Sequence, residues 1–436
     1  MKKKTIKVGL LGFGTVGGGT YRMLSTNAHT ISYTTGLSIE VTKILVRDLS
    51  KKRDVSAPDE LFTDNPDDIL KNPEIDVVVE VLGGIHPAFD YMEEAIKAGK
   101  HVVTANKAVI AKDGPYLTQL AIDNKVILRY EASVGGGIPI LNALSTSLQA
   151  NEFTEVVGIV NGTTNYILTQ MAENDMEYAD ALKQAQAMGF AEADPTGDVE
   201  GYDAVNKLSI LISTAFGVRV APEDIPREGI TNITKEDMAY AKQFGYTIKL
   251  LAHARRYRNT LECSVQPAMV PLGHPLATVK NEFNAIFAKG NAVDDVMLYG
   301  KGAGAMPTGS AVVGNLLEIA RAYAFGTTDR TIPTAVNDNV NLQFDGEGQN
   351  MYYVTLLAED MTGVLGKIAT KFGDAGIAIK SFVQHPSTKQ TGRYVPLIYI
   401  LGETTRDRLN EALEDISGFT FVKEIKSVIC VADLDR

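Results

Sequence analysis

The stretch I-K-V-G-L-L-G-F-G-T-V-G, Ile6 to Gly17, decides the fold of the first third of the chain. Ile6 to Leu11 reads as a short buried strand. Gly12, Gly14 and Gly17 follow, and a helix begins among them. Glycines at that spacing between a strand and a helix form a dinucleotide fingerprint. They allow a tight turn and let a pyrophosphate approach the backbone at the helix N-terminus. Gly12, Phe13, Gly14, Thr15, Val16 and Gly17 are therefore the expected cofactor contacts. The alternative is a glycine turn needed only for packing.

Working outward, the pattern repeats as strand and helix. A second strand, Ile39 to Val46, ends in Arg47, where an acidic residue would usually accept a ribose 2′-hydroxyl. An arginine there accommodates a 2′-phosphate, so NADP(H) is expected. Asp48 keeps NAD(H) open, and Lys51, Lys52 and Arg53 could equally be surface charges. V-V-V-E-V-L, Val77 to Leu82, reads as a strand buried on both faces, followed by Gly83, Gly84 and a helix from Pro87 to Ala98. A strand from His101 leads to Asn106 and Lys107 at its carboxyl end. Ligands of open α/β sheets bind there, which makes Lys107 a candidate for an anionic group of the substrate or the cofactor. R-Y-E-A-S-V-G-G-G-I-P-I, Arg129 to Ile140, is a strand running into three glycines.

Composition bounds the function. The 436 residues suit about three domains, and 45% hydrophobic content is ample for packed cores. A net charge of −11 disfavours nucleic acid and membrane surfaces as partners. Cys263 and Cys430 form neither a disulfide framework nor a zinc spacing, so a cytoplasmic setting is expected. No run approaches the ~20 apolar residues of a membrane span. The six histidines show no metal-ligand spacing, and none is assigned as acid or base. His86, next to a glycine pair, is the one of interest.

The chemistry concentrates in A-Q-A-M-G-F-A-E-A-D-P-T-G-D-V-E-G-Y-D-A-V-N-K, Ala185 to Lys207. Glu192, Asp194, Asp198, Glu200 and Asp203 fall within a dozen residues. Pro195 and Gly197 argue against a helix through the first carboxylates. Asp198 is a natural N-cap for the next segment. From Gly201 the pattern is helical, with Val205, Leu208, Ile212 and Ala215 in a stripe and Gly217 as the stop. Asp203 and Lys207 are one turn apart on one face. Such a set suits a zwitterion: carboxylates for an ammonium group and a lysine as proton donor. A solvated acidic loop with an i,i+4 ion pair is the plainer alternative.

This arrangement, A-x3-G-F-A-x2-D-P-x2-D-V-x-G-x-D-x3-K, resembles the signature of homoserine dehydrogenases at every fixed position. T-A-N-K-A around Lys107 and N-G-T-T-N at Asn161 to Asn165 resemble the same family. The resemblance implies reversible reduction of L-aspartate 4-semialdehyde to L-homoserine with NAD(P)H. It implies Lys207 as proton donor, Lys107 binding the substrate carboxylate or assisting the proton step, and Asp198 orienting the hydroxyl or Lys207. Glu192 and Asp203 would hold the substrate. Gly189 and Gly304, the latter in K-G-A-G-A-M-P-T-G-S, are implied cofactor contacts. Glu131 and the main-chain carbonyls of Val134, Gly136 and Ile138 would bind a monovalent cation, typically Na+. From the residues alone, that loop is a plain tight turn.

In N-G-T-T-N a strand ends, turns at Asn161–Gly162 and enters a helix capped by Thr163 or Thr164. Strands are expected near Lys249 to Arg256, Leu261 to Val270 and Asn284 to Lys289, and a helix from the second glycine turn to Tyr323. Residues 326–350 are polar and rich in turn formers, a linker. The tail then reads βαββαβ: Tyr352 to Ala358, a helix after D-M-T-G-V-L, Ile377 to Gln384, Tyr394 to Leu401, Arg406 to Ile416 and Val422 to Val431. Order and turn look like an ACT domain, a resemblance that implies an amino-acid effector site at Asp360, Gly363, Val364 and Leu365, with threonine the first effector to test.

The expected class is α/β: a Rossmann-type domain (1–140), an α+β catalytic and dimerisation domain (141–325), a linker (326–350) and a ferredoxin-like ACT domain (351–436). A small-molecule substrate and a homodimer or homotetramer go with it. Another NAD(P)-dependent amino-acid dehydrogenase and a non-enzymatic amino-acid sensor remain alternatives.

Overall fold

A computed structural model describes residues 5–325, 340–344, 348–384 and 393–434. The chain divides into two compact units: residues 1–156, 206–224 and 283–338, and residues 157–205, 225–282 and 339–436.

The first unit opens with β1 (Thr5–Leu11), β2 (Ser38–Leu45), β3 (Phe62–Thr63), β4 (Val77–Glu80), β5 (His101–Thr104) and β6 (Leu128–Arg129), all parallel in the order β3-β2-β1-β4-β5-β6. The chain reverses direction of growth beside β1, the switch point at which α/β sheets bind ligands. Both faces are covered, which is why these strands read as unbroken apolar runs. One apolar cluster joins Ile6, Val8, Leu10 and Val79 to Val312, Leu316 and Ile319; the other joins Leu11, Val78 and Val102 to Met92, Ile96 and Leu117. The helix Thr15–Thr26 packs on the helix Ala305–Phe325 so closely that a Cβ on Gly19 would lie 2.0 Å from the Ala305 carbonyl oxygen. No other residue type fits there.

β7 (Phe153–Ile159) crosses the division. In the second unit β8 (Tyr246–Tyr257) and β9 (Thr260–Pro271) form a long hairpin. The first unit takes back the chain for the hairpin β10 (Phe283–Gly290) and β11 (Asp294–Lys301). The second unit receives β12 (Asn341–Phe344), β13 (Asn350–Glu359), β14 (Ile379–Gln384), β15 (Tyr394–Thr404) and β16 (Val422–Val431), ordered β9-β16-β13-β15-β14. Helices Val364–Asp374 and Arg406–Ser417 complete the expected βαββαβ tail. This tail is tied to the rest of its unit through Asp237, at the start of the helix Lys235–Gln243. That buried carboxylate closes a capping box with Thr234 and accepts hydrogen bonds from Tyr353 Oη at 3.0 Å and Ser427 Oγ at 2.8 Å.

Four local expectations are corrected. Asn161, not Thr163 or Thr164, caps the helix Gly162–Asn174, because its side-chain oxygen accepts the Thr164 amide at 2.8 Å. Asp198 does not cap the helix Tyr202–Phe216; it sits inside a four-residue turn of helix, Thr196–Val199, started by Pro195. Gly201, at φ +83°, then breaks the chain between the two, a conformation that favours glycine. The strand before the triple glycine stops at Arg129 and gives way to a 3₁₀ turn, Glu131–Ser133. The linker contains β12, parallel to β9; residues 326–339 and 345–347 lie outside the described residues.

Candidate active site

The fingerprint turn is shaped by what it cannot hold. Gly12 has φ +108°, and a Cβ there would meet the Val81 carbonyl oxygen at 2.9 Å; one on Gly17 would meet the Gly12 oxygen at 2.2 Å. Its amide is anchored to the Leu45 carbonyl at 3.0 Å. At Gly14, by contrast, a Cβ would point into open space, and the residue is exposed. That asymmetry fits a dinucleotide: two glycines close the turn, while the third leaves a bare backbone facing outward at the start of Thr15–Thr26. Phe13 is packed against Tyr21 and Phe62, so it braces the turn, while Thr15 is exposed and Val16 half-buried.

Arg47 is exposed just past β2. The Asp48 carboxylate is engaged by its own turn, taking Ser50 N–H at 2.8 Å and Ser50 Oγ at 2.7 Å, bonds that hold it below its ordinary range. Arg53 donates to the Asp48 and Lys51 carbonyls and lies over the Phe62 ring at 4.8 Å.

At the carboxyl ends of β4 and β5, Glu80 is buried and pushed above its ordinary range by loss of solvent, though Thr104 Oγ1 (2.6 Å) and Leu82 N–H (2.7 Å) donate to it. Asn106 caps the helix Lys107–Asp123 and donates to the Gly84 carbonyl at 2.6 Å. This places Lys107, half-buried, as the first helical residue beside the ends of those strands.

The glycine loop after β6 is mostly buried. Gly135 and Gly136 are both left-handed (φ +70° and +53°), and a Cβ on Gly136 would strike the Gly302 carbonyl. Glu131 aims its carboxylate at the start of the next helical turn, where Leu141 and Asn142 amides donate at 2.9 and 2.7 Å. Burial nevertheless pushes it up to about 7. Val134, Gly136 and Ile138 lie within seven residues of it, and the Ile138 carbonyl accepts the Ile140 amide at 2.8 Å. A cavity of about 470 Å³ opens beside Glu131, lined also by Arg129, Asn142, Asn315 and Glu318 and by none of the signature acids.

In the signature stretch, Gly189 (φ +76°) and Glu192 are exposed, and Asp198 and Asp203 are half-buried. The second unit brings the last two together through a residue that the motif does not contain. Asn161 Nδ2 donates to Asp198 Oδ1 at 2.7 Å and to Asp203 Oδ2 at 2.8 Å. From behind, the loop is fixed by Arg227, which donates to the Glu200 carbonyl at 2.6 Å and lies 3.6 Å over the Tyr202 ring, and by the Ile230 amide on the Val199 carbonyl. Lys207 follows Asp203 by one turn of the helix Tyr202–Phe216 and is only 8% exposed. Lys100 and Lys249 are buried as deeply, and their ammonium groups are taken up by backbone carbonyls and Asn165.

Gly304 (φ +116°) is exposed before the helix Ala305–Phe325. In the tail, Gly363 (φ +87°) precedes the helix Val364–Asp374; Asp360 accepts Gln384 Nε2 at 3.2 Å, Val364 is buried and Leu365 exposed. His86 is exposed and bonded to Asp90 at 2.9 Å. His385 lies outside the described residues. No group of three or more His, Cys, Asp or Glu that could hold a metal occurs among the described residues. No helix there is long and apolar enough to cross a membrane.

Three family models match: the NAD-binding domain of homoserine dehydrogenase over residues 12–131, homoserine dehydrogenase over 139–317, and the ACT domain over 352–418. The homoserine dehydrogenase of Bacillus subtilis is 38% identical over 424 residues, covering 97% of this chain and 98% of its own. The crystal structure of a homoserine dehydrogenase from Thiobacillus denitrificans superposes with a TM-score of 0.93 at 39% identity, covering 99% of this chain and all of the other. A hyperthermophilic archaeal homoserine dehydrogenase in complex with NADPH superposes with a TM-score of 0.61 at 25% identity, over 72% of this chain and 97% of its own.

Proposed function

The chain belongs to the homoserine dehydrogenase family, an NAD(P)-dependent class of oxidoreductase, and on that premise we propose how its residues interconvert L-aspartate 4-semialdehyde and L-homoserine. The observation that carries the reading is Lys207, buried one turn beyond a carboxylate that is already held in place. The bound nicotinamide supplies or accepts the hydride at the substrate's terminal carbon. In reduction the carbonyl oxygen becomes an alkoxide and takes a proton from the Lys207 ammonium, leaving a neutral amine; oxidation runs the same proton backwards. Glu192 and Asp203 hold the substrate ammonium group, and Asp198 orients the hydroxyl or Lys207. Lys107 binds the carboxylate or assists the proton step.

The outward-facing backbone of Gly14 receives the pyrophosphate, with Gly12, Phe13, Thr15, Val16 and Gly17 forming the turn and Gly189 and Gly304 contributing to the cofactor site. NADP(H) is the favoured form. Arg47 is free of the turn that occupies Asp48, and the archaeal relative was solved with NADPH. Glu131 and the carbonyls of Val134, Gly136 and Ile138 hold a monovalent cation, Na+; successive left-handed glycines support this by turning carbonyls away from regular pairing. The ACT tail takes an amino-acid effector, threonine first among the options, at Asp360, Gly363, Val364 and Leu365. The partition into residues 1–140, 141–325, 326–350 and 351–436 serves as the functional division. The enzyme works as a homodimer or homotetramer in the cytoplasm.

Initial rates of nicotinamide oxidation or reduction test all of this together, with homoserine, aspartate semialdehyde and other amino acids, both nucleotides, Na+ or K+, and threonine. Activity confined to the homoserine couple is expected. A preference for another amino acid would overturn the substrate assignment.

A further inference from the structure

We propose that Asn161 is a positioning residue that holds the Asp198 and Asp203 carboxylates as a converging pair, and thereby sets the affinity of Asp203 for the substrate's ammonium group and the aim of Asp198 beside it. The proposal rests on the reading of those two acids as substrate-side groups.

The geometry assigns the orientation of the amide without ambiguity. One end of the Asn161 side chain meets the Thr164 backbone N–H at 2.8 Å, so that end is the oxygen. The same oxygen lies 3.0 Å from the Thr164 hydroxyl. The other end is therefore the NH₂ group, and its two hydrogens serve the two carboxylates. Sharing one nitrogen brings the two acceptor oxygens within about 5 Å of each other. Asn161 is buried, and its oxygen is locked to the first turn of Gly162–Asn174. The carboxylates are thus referenced to a rigid helix and not only to their own loop.

Two acids at that separation oppose each other's ionisation, whereas a donor to each charged form favours it. Asparagine does this while adding no charge of its own. A lysine or arginine at position 161 would neutralise the field that a ligand ammonium needs. An aspartate would keep the helix cap and reverse the sense of the bridge.

Asn161→Asp and Asn161→Ser both retain a cap acceptor for the Thr164 amide, so each separates the bridge from the helix start. Both are measured beside Asp198→Asn and Asp203→Asn. For the Asn161 variants we expect a KM for homoserine raised roughly 10- to 100-fold, the worth of hydrogen bonds to charged groups, and a nucleotide KM unchanged. In Asn161→Asp the acid limb of kcat/KM moves up by about one pH unit. A folded Asn161→Asp or Asn161→Ser with wild-type KM and acid limb, next to impaired Asp198→Asn and Asp203→Asn, overturns the role given to Asn161 and leaves the site reading intact. Wild-type kinetics in all four overturn the site reading and this proposal with it. If both Asn161 variants fail to fold although the cap is kept, the residue is structural and the proposal also fails.

Discussion

The fingerprint turn and the carboxylate cluster use side chains in opposite ways. At Gly12 and Gly17 a single added carbon would collide with backbone, and at Gly14 it would stand in open space. At Asn161, Asp198 and Asp203 three side chains from two stretches converge on one another. The first region recognises a large, rigid cofactor group by presenting bare amides, which needs only local backbone shape. The second, on the proposed reading, grips a small charged amino acid, and the positions of its groups depend on packing between distant stretches of the unit. Glu131, a carboxylate buried in the other unit, sharpens the contrast. It is satisfied by backbone amides at a helix start, and burial still pushes it up to about 7.

The contrast can be broken first at the glycines. Gly17→Ala should lose thermal stability, by about 1–3 kcal/mol for the overpacking, and nucleotide affinity as well, because the turn must shift to make room. Gly14→Ala should lose affinity alone, with an unchanged melting temperature. Equal loss of stability in the two variants would show the turn to be structural only. Asp237→Ala tests the side-chain side. Its buried carboxylate serves Thr234, Tyr353 and Ser427, and its removal leaves buried hydroxyls unpaired at a cost of about 3 kcal/mol. Chemical denaturation should show the shift, and an unchanged midpoint would mean the tail is held by its other contacts, the β9–β16 pairing among them.

His101 offers a pH test in the nucleotide-binding unit. Burial lowers it to about 4, and its Nδ1 accepts the Ile127 amide at 2.9 Å. The unfolded state takes up a proton below about 6.5, while the folded state resists until about 4. Stability that is full above pH 6.5 is therefore lost as pH falls toward 4, by up to about 3 kcal/mol. His101→Asn, which keeps an acceptor near Ile127, should flatten the melting temperature across that window. A slope equal to wild type would assign the acid sensitivity elsewhere. The smallest effect is expected at Arg47→Ala, an exposed charge: about a tenfold fall in the NADPH-to-NADH preference, measured by initial rates in low salt.

What could be read from the chain follows the same division. The fingerprint was legible because its logic is contained in twelve consecutive residues, and Asp203 with Lys207 because helical spacing fixes their face. Asn161 was legible only as part of N-G-T-T-N, a stretch that the family resemblance sets at the substrate pocket; its bond to Asp198, 37 positions on, leaves no local sign. β12 hides for a related reason: N-L-Q-F is a strand only because β9, about eighty residues earlier, supplies its partner. The helix Lys235–Gln243 is polar throughout its exposed length, yet Thr234 and Asp237 form a capping box whose spacing could have announced it. The ACT tail was legible element by element, each strand being apolar enough to stand out alone.

The account rests most heavily on the proton carried by Lys207, so its most direct test is the turnover of Lys207→Ala with saturating nucleotide and homoserine. A fall in kcat of about 10²- to 10⁴-fold is predicted, with the nucleotide Kd held at its wild-type value. Turnover within a few-fold of wild type would contradict the assignment.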